Sequence, residues 1–130
     1  MMTLTAANEA IRARIAAFGG ITALQLQWPN RPFTVPTTGI WGRVTFTGGD
    51  GFIAGLADAP LTRKTGNVII QLFERKDKGI AGLTALADSL AAHLEYYSSG
   101  AMELISGGTI VAGQDGDFYQ VNVVVPYRVN

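Results

Sequence analysis

His93 is the single histidine of a chain that has no cysteine. A nucleophile needs a base at hydrogen-bond distance, and a metal centre needs several ligands. Only scattered carboxylates remain for either task. His93 sits beside the apolar stripe near the end of a helix, without the supporting groups that a catalytic or ligand role requires. Asp115-Gly116-Asp117 offers two carboxylates around a glycine, which could hold Ca²⁺. A calcium loop needs more oxygen donors at regular spacing, and the pattern stops at Phe118. An Asp-Gly hairpin turn accounts for it without a ligand. Gly79 and Gly82 open a helix after a strand, the position of many phosphate-binding loops. Their spacing fits neither the P-loop nor the dinucleotide fingerprint, and no Lys-Ser/Thr pair follows. Gly48 to Gly55 fails the same test. A metal-assisted hydrolase built on Asp50, Asp58, Asp115 or Asp117 is the weakest reading. The sequence implies no catalytic residue, no cofactor and no metal.

The charged residues are therefore candidates for contact. Arg63, Lys64, Arg75, Lys76 and Lys78 would form one basic surface if their two segments lie close. No aromatic residues are interleaved with them to stack on bases, and Glu74 and Asp77 dilute the charge. A net charge of zero also argues against a general nucleic-acid binder. The distribution is more telling. Residues 1–78 hold nine basic side chains against five acidic ones, whereas 79–130 hold Arg128 alone against Asp88, Glu95, Glu103, Asp115 and Asp117. A basic first part and an acidic second part could meet across a protein interface. Trp28 and Trp41 are of a type enriched in interface hot spots, with core packing equally open to either. The contact candidates are Arg63, Lys64, Arg75, Lys76, Lys78, Asp115, Asp117 and Trp41.

These residues need a scaffold, and 130 residues suffice for one domain with one core. At 48% hydrophobic and 15% charged, the chain is apolar for its size. Abundant Ala and Gly, or apolar surface covered by neighbouring subunits, would each explain this. The first twenty residues carry Glu9, Arg12 and Arg14 where a signal peptide needs an apolar run. No stretch is long and apolar enough to span a bilayer, so a soluble protein made in a cytoplasm is expected.

Thr5 is a fair N-cap for a helix to Phe18, with Ile11, Ile15 and Phe18 on its apolar face. Leu24, Leu26 and Trp28 alternate with glutamines as a strand does. Pro29, Pro32 and Pro36 stiffen an extended loop from Trp28 to Gly39. Ile40 to Thr47 reads as a strand, Gly48 to Gly51 as a turn, and Phe52 to Leu56 as a short return. Ala57 to Gly66 reads as a long exposed connection, so 39–66 is expected to form a protruding hairpin and loop. Val68 to Phe73 is a nearly continuous apolar run, as expected for a strand covered on both faces. Ile80 to Tyr97 is the strongest helix, with Leu83, Leu86, Leu90, Leu94 and Tyr97 as its buried stripe. Met102 to Ile105 and Thr109 to Ala112 are short strands. Gly113 to Gly116 is a hairpin turn into a last strand with Tyr119, Val121, Val123, Val125, Tyr127 and Val129 on one face. Pro126 lacks a ladder donor, which predicts that this end is a sheet edge or is paired on one side only. The whole is a single α+β domain, a mostly antiparallel sheet with both helices on one face.

Three features resemble the phage tail terminator-like, or tail completion, family. The first is Trp28-Pro29-Asn30-Arg31-Pro32-Phe33, then a Pro-containing loop and Trp41-Gly42-Arg43-Val44. The second is Arg63-x-x-Gly66-x-Val68-Ile69-Ile70-Gln71-Leu72-Phe73, leading to Gly79. The third is the helix with Leu86-Ala87-Asp88-Ser89-Leu90, a short strand and a final hairpin. The likeness spans nearly the whole chain through loose, mainly structural motifs. It departs at Glu74-Arg75-Lys76-Asp77, where a small Pro- or Gly-containing turn is the expectation. The resemblance implies a structural virion protein, not an enzyme: a hexameric ring that caps the tail tube, stops its polymerisation and joins it to the head or neck. It further implies the tail tube protein and a head-completion or neck protein as partners, with DNA passing through the ring lumen. No membrane and no sequence-specific nucleic acid are expected. Alternatives are a head-tail connector of similar fold, or a small nucleic-acid or ligand binding module.

Overall fold

The computed structural model describes residues 3–48, 52–53 and 62–130. The expected turn at 49–51 and the stretch 54–61 lie outside the described residues. Helix α1 (Leu4–Ala16) starts earlier than expected, because Thr3, not Thr5, caps it: Thr3 Oγ1 accepts from Ala6 N–H at 3.1 Å. It ends before Phe18 and buries Ala7, Ile11 and Ile15, a stripe of four-residue steps. Helix α2 (Ala81–Leu94) is shorter than the expected Ile80–Tyr97, because the backbone turns extended at Glu95 and left-handed at Tyr96 (φ 62°). Ala87 and Ala91 share its inner face with Leu83, Leu90 and Leu94, while Leu86 is only partly covered.

Eight strands form the sheet: β1 (Leu26–Gln27), β2 (Trp41–Gly48), β3 (Phe52–Ile53), β4 (Thr62–Arg75), β5 (Ser98–Ser99), β6 (Met102–Leu104), β7 (Gly108–Asp115) and β8 (Phe118–Val129). The order is β1-β2-β4-β8-β6-β5, with β3 on β4 and β7 on β8. Among the described residues, only β1 and β2 run parallel. The expected α+β fold is borne out. In detail, the strand expected from Leu24 is reduced to β1, because Ala23–Gln25 is a 3₁₀ turn that leaves Leu24 92% exposed. Residues 62–66, expected within an exposed connection, are strand: Lys64 to Gly66 pair with Val129 to Tyr127, and Gly66 also pairs with Gly48.

The edge expected at the Pro126 end of β8 is not found, whereas the alternative, pairing on one side only, holds at Pro126 itself. Strand β8 is central, with β4 on one side and β6 and β7 on the other. Pro126 is tolerated because of where its missing donor points. The Pro126 carbonyl accepts from Ile105 N–H at 2.8 Å, so its nitrogen faces the same flank. On that flank β6 ends at Leu104 and β7 begins at Gly108, and no ladder crosses the gap.

One face of the sheet carries both helices. Val44, Val68, Ile70, Leu72, Val121, Val123, Val125 and Tyr127 meet the two helical stripes in one buried cluster. Each such aliphatic side chain contributes about 1.5–3 kcal/mol on burial. Gly66 lies under the ring of Tyr127: a Cβ there would stand 2.2 Å from the Thr47 carbonyl oxygen and 2.6 Å from Tyr127 Oη.

Candidate contact surfaces

The helix-free face is built by the alternate residues of the same strands. Trp41, Phe73 and Phe118 project from it at one end of the sheet, and Phe33 of the proline-rich loop folds onto them. Trp41 stacks on Phe73 with centroids 4.4 Å apart and planes 18° apart, and on Phe33 at 5.5 Å. Phe118 meets Trp41 edge-on at 5.6 Å. Arg75 lies 4.8 Å over the Phe118 ring and donates through Nε to the Thr37 carbonyl at 3.0 Å, tying the loop to the sheet. Arg43 lies 5.7 Å over Phe73 and donates to Gln27 Oε1. Trp41 is 4% exposed, so the free subunit packs this contact candidate instead of presenting it. Its Nε1 is buried without a hydrogen-bond partner among the described residues.

Beyond this cluster the face changes character. Ile69, Gln71, Gln120, Asn122 and Val124 are only half-buried, and no helix of the described residues lies over them. The apolar run Val68 to Phe73 is thus fully covered on its helix side and only partly on the other, against the expectation of two covered faces. At the flank, Ile110 and Val111 of β7 stand 57% and 52% exposed.

The basic candidates do not come together. Arg63 and Lys64 begin β4 and Arg75 ends it. At about 3.3 Å per residue, the two groups are roughly 35–40 Å apart along one strand. Arg63 donates through Nε to Asn130 Oδ1, and Lys64 is exposed. At the other end, the turn carrying Lys76 and Lys78 adjoins the Asp115-Gly116-Asp117 hairpin: Lys76 N–H donates to the Asp117 carbonyl at 2.9 Å. The charges that are segregated in sequence are therefore neighbours here. The Asp115 and Asp117 carboxylates stay exposed and have no partner among the described residues.

Sequence reasoning missed one concavity. The turn Trp28 to Arg31, closed by Arg31 N–H to the Trp28 carbonyl with Asn30 left-handed (φ 56°), faces helix α1. Between them opens a cleft of about 270 Å³ lined by Asn8, Glu9, Arg12, Trp28, Arg31 and Phe46, among others. Arg12 lies 5.2 Å over the Trp28 ring, and Asn8 Oδ1 is buried with no partner among the described residues. The only hint in the sequence is the Trp-Pro-Asn-Arg segment, whose turn brings Arg31 back toward the helix.

His93 is structural. Its Nε2 lies 2.7 Å from the Arg14 carbonyl, and Arg14 Nε donates to the His93 carbonyl at 3.0 Å, which clasps α1 to α2.

Two helices on one face of a mostly antiparallel sheet, with aromatic and guanidinium groups packed on the other, define a single α+β domain. The family model described as phage tail terminator protein matches residues 6–127, and the chain belongs to that family. It is a structural component of a phage tail, and hence of the virion. One solved structure covers 100% of this chain and 97% of its own length, with a TM-score of 0.74 at 18% identity. The name it bears assigns no function, and the likeness shows the fold alone. No curated protein matches the chain. Among the described residues, no helix is long and apolar enough to cross a membrane.

Proposed function

We propose that this protein is the tail terminator itself: a closed, hexameric ring seated on the last ring of the tail tube. It stops tube growth and offers its outer surface to a head-completion or neck protein, with DNA passing through the lumen. The observation that carries this reading is the half-covered, helix-free face of β4 and β8, in a chain of the tail terminator family. A central strand as apolar as Val68 to Phe73 gains most when its second face is also removed from water. A cyclic ring uses head-to-tail interfaces in which two different patches meet.

The reading is tested by mass measurement of the purified chain, alone and with tube protein, and by imaging tails. The expected result is a six-membered ring at one end of the tube. A chain that stays monomeric with and without tube protein overturns it.

A further inference from the structure

We infer that the cleft between α1 and the Trp28–Arg31 turn receives the Asp115-Gly116-Asp117 hairpin tip of a second copy of this chain. This rests on the ring reading above and names the contact that closes the ring.

Charge complementarity carries the argument. Among the described residues, Arg12 and Arg31 bring two guanidiniums to the cleft against the one carboxylate of Glu9, and neither is in an ion pair. Arg31 is exposed, and its side chain has no partner among the described residues. The tip offers two exposed carboxylates equally without partners. Guanidinium and carboxylate match in shape as well as charge, through paired N–H···O bonds. At the cleft, the buried Asn8 Oδ1 accepts nothing from the described residues, and a buried acceptor left unpaired costs stability. A hairpin tip supplies the missing chemistry, because its backbone N–H groups are not all used in the ladder. Gly116, left-handed at φ 60°, makes this tip narrow.

The tip cannot reach the cleft of its own subunit. Phe46, in the cleft wall, is in register with Val68 and Val125, whereas the tip is in register with Arg75 through Phe118. That separation is roughly 23 Å along β4. The cleft also lies on the β1–β2 flank, and the tip on the β7–β8 flank. Two unlike patches on opposite flanks are what a head-to-tail contact requires. The exposed Ile110 and Val111 lie on the tip's own strand, and would be covered as the flanks meet.

The experiment is a charge swap read by oligomer mass, in solution and on tubes. Arg12→Glu with Arg31→Glu, and separately Asp115→Arg with Asp117→Arg, should each weaken ring formation by about tenfold or more. Combining all four changes in one chain should restore it. Circular dichroism and melting check that each variant folds. The chain has no cysteine, so Arg31→Cys with Asp115→Cys gives a second readout: oxidation should link neighbouring subunits. Rings that form normally with either reversal, or a swap that restores nothing together with no cross-link, overturn this contact and leave the ring reading standing. Rings that survive the Arg12 and Arg31 changes but no longer hold the tube assign the cleft to the tube protein, and overturn the inference. A wild-type chain monomeric under all conditions overturns both.

Discussion

At the scale of single residues, Gly66 is tightly constrained. A methyl group there meets the Tyr127 ring and the Thr47 carbonyl, and the latter is strand backbone that cannot withdraw without disturbing the β2–β4 ladder. Gly66→Ala should cost about 1–3 kcal/mol, read as a fall in the denaturant midpoint. Tyr127 supplies a pH signature. Burial raises its phenol above the ordinary 10.0, so the folded state favours the neutral form. Below pH 10 the group is neutral folded and unfolded, and costs nothing. As pH rises further the unfolded chain ionises first, so stability falls. Tyr127→Phe should flatten that alkaline limb in melts at successive pH values. Two neighbouring cations separate sharply. Arg75→Glu should destabilise the subunit by about 1–3 kcal/mol, because it loses the bond to Thr37 and the stacking on Phe118. Lys76→Glu, at an exposed turn, should stay within about 0.5 kcal/mol of wild type. If melting reverses that order, Arg75 does not tie the loop. This difference was invisible in Arg75-Lys76 as letters, since the ring of Phe118 and the carbonyl of Thr37 are both distant in the chain.

Among the elements, α2 shows what periodicity can and cannot resolve. Leucines at helical spacing announce a helix and its face, yet the same spacing continues to Tyr97 after the backbone has left the helix. The early exit rotates nothing, but Ala87 and Ala91 join the inner face and Leu86 moves to its margin. Leu90→Ala should therefore cost about 2–5 kcal/mol, by leaving a cavity between helix and sheet. Leu86→Ala should cost clearly less, and equal losses in chemical denaturation would refute this placement. The strands tell a similar story. Alternation in β8 identified the strand and its buried face correctly. Pro126 then suggested an edge or pairing on one side only, and the edge failed because a missing donor matters only if something stands opposite it. Here it faces the gap between Leu104 and Gly108.

At the scale of the whole molecule, the uncovered sheet face is the property to test. Ile69→Lys, beside the already polar Gln71, should leave the fold intact and cost no more than about 1 kcal/mol. If that face is covered in the tail, ring or tube binding measured by sedimentation should fall steeply. Unchanged assembly would mean that it faces water. The order of elements, the α+β class and the buried face of α1 were all legible from the sequence. Each depends on local periodicity or on which residue types exist at all. The central place of β8, the separation of Arg63 and Lys64 from Arg75, and the approach of Lys76 to Asp117 were not. Nor were the packing of Trp41 beneath Phe33 and the cleft beside α1. These are matters of which strand pairs with which and in what register. Such pairings join residues far apart in the chain, and their free energy resides in contacts that exist only once the sheet has formed.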